Sequence, residues 1–132
     1  MGQRHISSGS PFEADIGYSR AVVADGWIFV SGTTGYDYST MRMPDGVEDQ
    51  CRNVLATIDK ALAEAGAGLN DVVRVRYILP DASEFRKCWL ILSAAFGEAR
   101  PAATMIQAGL MEPEMKIEIE VTARVPKTAP GV

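Results

Sequence analysis

The sequence holds one histidine, His5, and two cysteines, Cys51 and Cys88. A single histidine excludes a His-rich metal site. Two cysteines without a C-x-x-C spacing are too few for a disulfide scaffold and read as buried thiols of a reducing compartment. Long hydrophobic runs are missing as well: none approaches the roughly 20 residues that span a bilayer, and Met1-Gly2-Gln3-Arg4-His5 leads into no apolar signal core. The expected location is therefore cytoplasmic, with no membrane partner. Positive charge is scarce, with 13 Lys and Arg against 17 Asp and Glu and a formal net charge of −4. The basic residues are scattered, so no stripe exists to neutralise phosphates, and nucleic acid is not an expected partner. What is present suits one folded unit: 132 residues, 47% of them hydrophobic, with no repeat, low-complexity segment or interior linker. Residues 1–125 read as a single domain and residues 126–132, rich in proline and small residues, as a flexible tail.

Asp25-Gly26 separates Arg20-Ala21-Val22-Val23-Ala24 from Trp27-Ile28-Phe29-Val30-Ser31, a tight β-hairpin turn between two strand-forming runs. Val47, Cys51, Val54, Leu55, Ile58 and Leu62 then recur at helical spacing, with Asp45 and Glu48 resembling a capping pair and Gly66 and Gly68 as stops. Residues 72–79 alternate and are rich in β-branched side chains, which predicts a strand ending at Pro80. Phe85, Cys88, Trp89, Leu92 and Phe96 predict a second helix, capped by Asp81 or Ser83 and stopped by Gly97. Residues 102–108 and 116–125 predict two closing strands, and Ile6-Ser7 a short first one. The fold class is α+β, a mixed sheet with two helices on one face. Trp27, Phe29, Val73 and Val75 make a fully solvated second face improbable, which predicts an oligomer.

In Lys116-Ile117-Glu118-Ile119-Glu120-Val121 the two carboxylates point the same way, about 7 Å apart along the strand. They read either as charges that discourage edge aggregation or as a partly buried carboxylate able to activate water. Ser31-Gly32 either lets a ligand approach the backbone closely or marks a bulge before Thr33-Thr34-Gly35. Tyr18 either closes a pocket or packs in the core. Arg100 precedes Pro101, which favours extended backbone, and either clamps a carboxylate or faces water. Cys51 and Cys88 lie on apolar helix stripes, where a thiol stays protonated.

Ile16-Gly17-Tyr18-Ser19, Ile28-Phe29-Val30-Ser31-Gly32, Asn53-Val54-Leu55, Ala63-Glu64-Ala65-Gly66, Asp71-Val72-Val73-Arg74-Val75, Arg100-Pro101-Ala102 and Ile117-Glu118-Ile119-Glu120 together resemble the YjgF/Rid (reactive intermediate deaminase) family, in family order over nearly the whole chain. The resemblance implies a chorismate-mutase-like α+β fold, assembled as a homotrimer with small-molecule clefts between subunits. It further implies hydrolysis of enamine and imine metabolites such as 2-aminoacrylate to a 2-oxo acid and ammonia, with no cofactor. Carried over by position, Tyr18 would line the cleft, Ser31 and Gly32 would contact the ligand, and Glu118 would orient the attacking water, with Glu120 as the second carboxylate.

The chain departs from the family where deaminating members carry Pro-Ala-Arg, whose arginine grips the substrate carboxylate. Here the residues are Pro101-Ala102-Ala103, and the ungapped count to Glu118 puts Ala103 in the arginine's place. Met105 replaces a frequent cysteine, and Trp89 an asparagine on the second helix. Losing a charged hydrogen bond to a carboxylate costs about 1.5–3 kcal/mol. Arg100, three residues earlier, would face the opposite side of a regular strand and could substitute only if the chain bends at Pro101. Two functions follow: an enamine or imine deaminase with altered or reduced activity on imino acids, or a non-catalytic trimer that binds a small metabolite. Endoribonuclease activity, attached to some family members, is disfavoured by the acidic charge and the lack of a histidine pair.

Overall fold

A computed structural model describes residues 2–127, so most of the expected C-terminal tail lies outside the described residues. The strands are β1 (Arg4–Ile6), β2 (Ala21–Ala24), β3 (Trp27–Thr34), β4 (Val72–Leu79), β5 (Ala102–Gln107) and β6 (Glu118–Arg124), and the helices are α1 (Pro11–Ile16), α2 (Val47–Glu64) and α3 (Trp89–Phe96). One sheet runs in the order β1-β2-β3-β6-β4-β5. The last strand is antiparallel to both β3 and β4, which makes those two parallel to each other, and β5 is parallel to β4. Parallel neighbours need crossovers, supplied by α2 and α3. Both crossovers step the same way across the sheet, so their common right-handedness puts both helices on one face. Beneath them Ile117, Ile119, Val121 and Ala123 of the β6 segment pack with Val54, Ile58 and Leu62 of α2 in one buried core.

The hairpin at Asp25-Gly26 is formed, with φ of +52° and +80° at its two residues. Several local expectations change. The hexapeptide helix α1, too short to show periodicity, is capped by Ser10, starts at Pro11 and ends on Gly17 at φ +93°. The N-cap of α2 is Gly46, with no side-chain cap bond from Asp45. The second helical segment divides: Asp81 caps a 3₁₀ stretch, Ala82–Cys88, and only Trp89–Phe96 is α-helical. In β4 an extra residue between Val72 and Arg74 shifts the alternation. Val75 therefore faces the helices and is buried, while Phe29 and Val73 remain exposed.

Gln50, fully buried on α2, donates to the carbonyls of Pro44 (2.7 Å) and Glu114 (2.9 Å) and accepts from the Lys116 N–H (2.9 Å). This ties α2 to the approach to β6 and sets where Glu118 enters the sheet.

Candidate functional site

The site begins with a defect in the sheet. Between the pairs Val30–Val121 and Thr33–Ile119, two residues of β3, Ser31 and Gly32, stand opposite Glu120 alone. This bulge re-aims the strand. The Ser31 N–H donates to the Arg20 carbonyl at 2.9 Å, and its hydroxyl donates to the Ser19 carbonyl at 2.6 Å. A Cβ on Gly32 would lie 2.6 Å from Oε2 of Glu118 and 2.9 Å from its carboxyl carbon. Glu118 thus occupies the space that the missing side chain leaves. Burial pushes its pKa above the ordinary carboxylate range, and the nearby charge of Glu120 adds to that, while Arg20 opposes it. Glu120, on the same strand face and also partly exposed, is instead an ion-pair partner of Arg76 at 2.8 Å. The two carboxylates, alike in sequence, are separated by environment.

Arg100, Ala103 and Met105 lie elsewhere, along an open groove of about 470 Å³ between α3 and β5 that Tyr77, Trp89 and Phe96 also line. The expected extended backbone at Arg100 is replaced by a left-handed one, with φ +46°. Its N–H donates to the Phe96 carbonyl at 2.8 Å, closing the turn after α3. The bend therefore comes at Arg100 itself, one residue before Pro101, and brings Arg100 onto the same groove as Ala103. Such a conformation is uncommon for a long side chain. Arg86 stacks over Trp89 at 4.3 Å from the ring centre, adding a second cation beside the groove.

The two sets do not meet within one subunit. Met105 pairs with Tyr77, and Tyr77 with Ile119, all on the helix side, whereas Glu118 pairs with Ile78 and points to the other face. Strand alternation puts the sheet between them. A ligand touching both needs one half from a second copy of the chain.

Sequence reasoning missed Arg20. It is 1% exposed. Its guanidinium donates to the Gly32 carbonyl (3.0 Å), the Thr33 hydroxyl (3.1 Å), the Ser8 hydroxyl (3.3 Å) and the Tyr18 hydroxyl (3.4 Å). Tyr18 is thereby held at the edge of the bulge. No periodicity marks Arg20, because it and Ala21 are adjacent and both buried where the chain turns into β2. A further cavity of about 310 Å³ lies between Arg20, Tyr38 and α2, but none of the residues expected from the sequence to carry chemistry lines it.

Among the described residues no three His, Cys, Asp or Glu side chains gather to hold a metal, and no helix is long and apolar enough to cross a membrane. His5 is bonded through Nδ1 to the Ser19 hydroxyl at 2.9 Å.

The profile of the family described as Endoribonuclease L-PSP matches residues 9–125. A RutC family protein of Pyrococcus abyssi is 36% identical over 107 residues, covering 80% of this chain and 84% of that protein. A crystal structure of a Mycobacterium tuberculosis member of the YjgF/YER057c/UK114 family superposes with TM-score 0.85 at 39% identity, covering 94% of this chain and all of that one. The RidA structure of an Antarctic Psychrobacter gives TM-score 0.77 at 30% identity, over 82% of this chain and 88% of that one. Sequence order, sheet topology and these likenesses agree: the chain belongs to the YjgF/Rid family.

Proposed function

We propose that this chain hydrolyses a small enamine or imine metabolite as a homotrimer, in clefts that join the Glu118 half-site of one subunit to the Arg100 groove of the next. The observation that carries the reading is the half-buried Glu118 carboxylate seated against Gly32. A carboxylate moved up from its ordinary range is a better proton acceptor near neutral pH. An enamine first takes a proton on carbon to become the imine. Glu118 then accepts a proton from water as the oxygen adds to the imine carbon. The carbinolamine so formed expels ammonia, its nitrogen protonated and its hydroxyl proton released, to leave the carbonyl. These steps use water alone as co-reactant and call for no cofactor. Arg100, bent onto the groove, takes over the substrate carboxylate from the position that Ala103 leaves empty. Met105 and Trp89 supply apolar walls.

The second reading, a trimer that binds a metabolite without turning it over, is favoured by Ala103, which removes the family's carboxylate anchor. Ammonia release from freshly generated 2-aminoacrylate and bulkier imines separates the two. Turnover that disappears in Glu118→Gln and falls about tenfold or more in Arg100→Ala supports the deaminase. Turnover that appears only in Ala103→Arg supports the binding trimer. A monomer by light scattering at micromolar concentration removes both readings, because the half-sites then never meet.

A further inference from the structure

Among the described residues the salt-bridge partner of Arg20 is Glu13, whose carboxylate stands 4.0 Å away on α1. Glu13 is itself held ionised: burial opposes its charge, but bonds from Ser8 and the nearby Arg20 outweigh that and hold its pKa below the usual range. The guanidinium carbon lies over the Tyr38 ring, 4.6 Å from its centre, and the group reaches the bulge at Gly32. Every polar contact on its β3 side ends at the two residues that follow Ser31: the carbonyl of Gly32 and the hydroxyl of Thr33. The Glu118 carboxylate rests on that same Gly32 from the other side.

A buried arginine is costly to desolvate, and a well-packed apolar side chain would build the same strand junction more cheaply. Arg20 does what an apolar side chain cannot, donating at once to the Gly32 carbonyl and to the Thr33 and Tyr18 hydroxyls. We infer that Arg20 is a positioning residue for the candidate site: it holds Tyr18 and the Gly32 bulge around Glu118 and sets a positive charge beneath that carboxylate. The inference rests on Glu118 being the working group. Two charged side chains then act on Glu118: Glu120 on its own strand, itself paired with Arg76 of β4, and Arg20 from the approach to β2. Its cross-strand partners, Thr34 and Ile78, are neutral. Glu13 acts at one remove, by balancing Arg20.

The coupling has a readout that needs no turnover. In protein labelled with ¹³C at glutamate carboxyls, the Glu118 resonance, assigned by its loss in Glu118→Gln, is followed through a pH titration. Removing the cation in Arg20→Met moves the Glu118 midpoint to higher pH, and Arg20→Lys returns it toward the parent value. Glu13→Gln removes the balancing anion while leaving Arg20 in place, so it moves the midpoint the opposite way, to lower pH. That variant also keeps the test decisive should Arg20→Met fail to fold. In an active enzyme, kcat in Arg20→Lys falls by about tenfold or more with a smaller change in KM, as expected when alignment and not binding is lost. A Glu118 midpoint that stays put in Glu13→Gln, and in whichever Arg20 variants fold, overturns the inference and leaves Arg20 a structural residue. If the midpoint moves as described but the parent protein turns over no imine, the Arg20–Glu118 coupling stands and the deaminase reading falls.

Discussion

Replacing Gly32 by alanine tests the candidate site with a single methyl group. The new Cβ would lie 2.6 Å from Oε2 and 2.9 Å from Cδ of Glu118, well inside contact distance. Gly32 does not have a positive φ, so alanine suits the backbone there. What has to move is the far end of a flexible glutamate, and rotating it out toward water is inexpensive. Stability should change by less than about 1 kcal/mol, far below the 1–3 kcal/mol of a true overpacking. The site should fail nonetheless, because displacing a catalytic group by about 1 Å costs on the order of 100-fold in rate. Moving into water should also return the Glu118 titration toward the ordinary carboxylate range, since burial is the main cause of its shift. Gly35→Ala is the contrasting control. There the added Cβ would meet Gln50 Cβ at 2.5 Å and its Cα at 2.7 Å, backbone that cannot swing aside. That variant should lose about 1–3 kcal/mol of stability through the Gln50 clamp. Chemical denaturation, imine turnover and the Glu118 titration together give the answer. A Gly32→Ala protein with unchanged turnover and an unchanged Glu118 titration refutes the placement of Glu118 as the working group.

Other predictions concern stability and reactivity. With a folded-state pKa raised above its unfolded value, Glu118 binds its proton more tightly in the folded chain, so its contribution is most favourable at low pH and is lost as pH rises through the folded value. Glu118→Gln should therefore melt higher than the parent at pH 8, with the difference shrinking as pH falls through the Glu118 midpoint; a difference independent of pH would contradict the burial argument. Cys51 and Cys88 are fully buried, and the Cys51 thiol is pushed up by its contact with Cys88 and by burial. Neither should react with an aromatic disulfide reagent until denaturant unfolds the chain, and rapid labelling of the native protein would show that this core opens. Ile58→Ala, at a site with no exposure under α2, should cost about 2–5 kcal/mol by denaturant titration.

Much of this protein was legible in its sequence because the information was local. Asp25-Gly26 has the turn chemistry of a hairpin, the stripe from Val47 to Leu62 has the period of a helix, and the alternation from Lys116 to Val121 sorts two glutamates from the aliphatic face beneath the helices. These patterns depend only on neighbours a few residues apart, and with collinear motifs they sufficed for the fold and family. Tertiary structure alone decided the rest. The insertion of the last strand between β3 and β4 is a pairing across most of the chain, and it brings Glu118 to Gly32, 86 residues earlier by their numbers. Which of two identical carboxylates packs on Gly32 and which pairs with Arg76 depends on that meeting, as does the fate of Arg20, which carries no periodic signal and is buried by contacts from Ser8, Tyr18 and the bulge. Arg100 joins the groove through a left-handed turn that its proline neighbour argued against. Local sequence sets the repeat of each element, but contacts between distant segments determine which side chains lose water and which charges share a site.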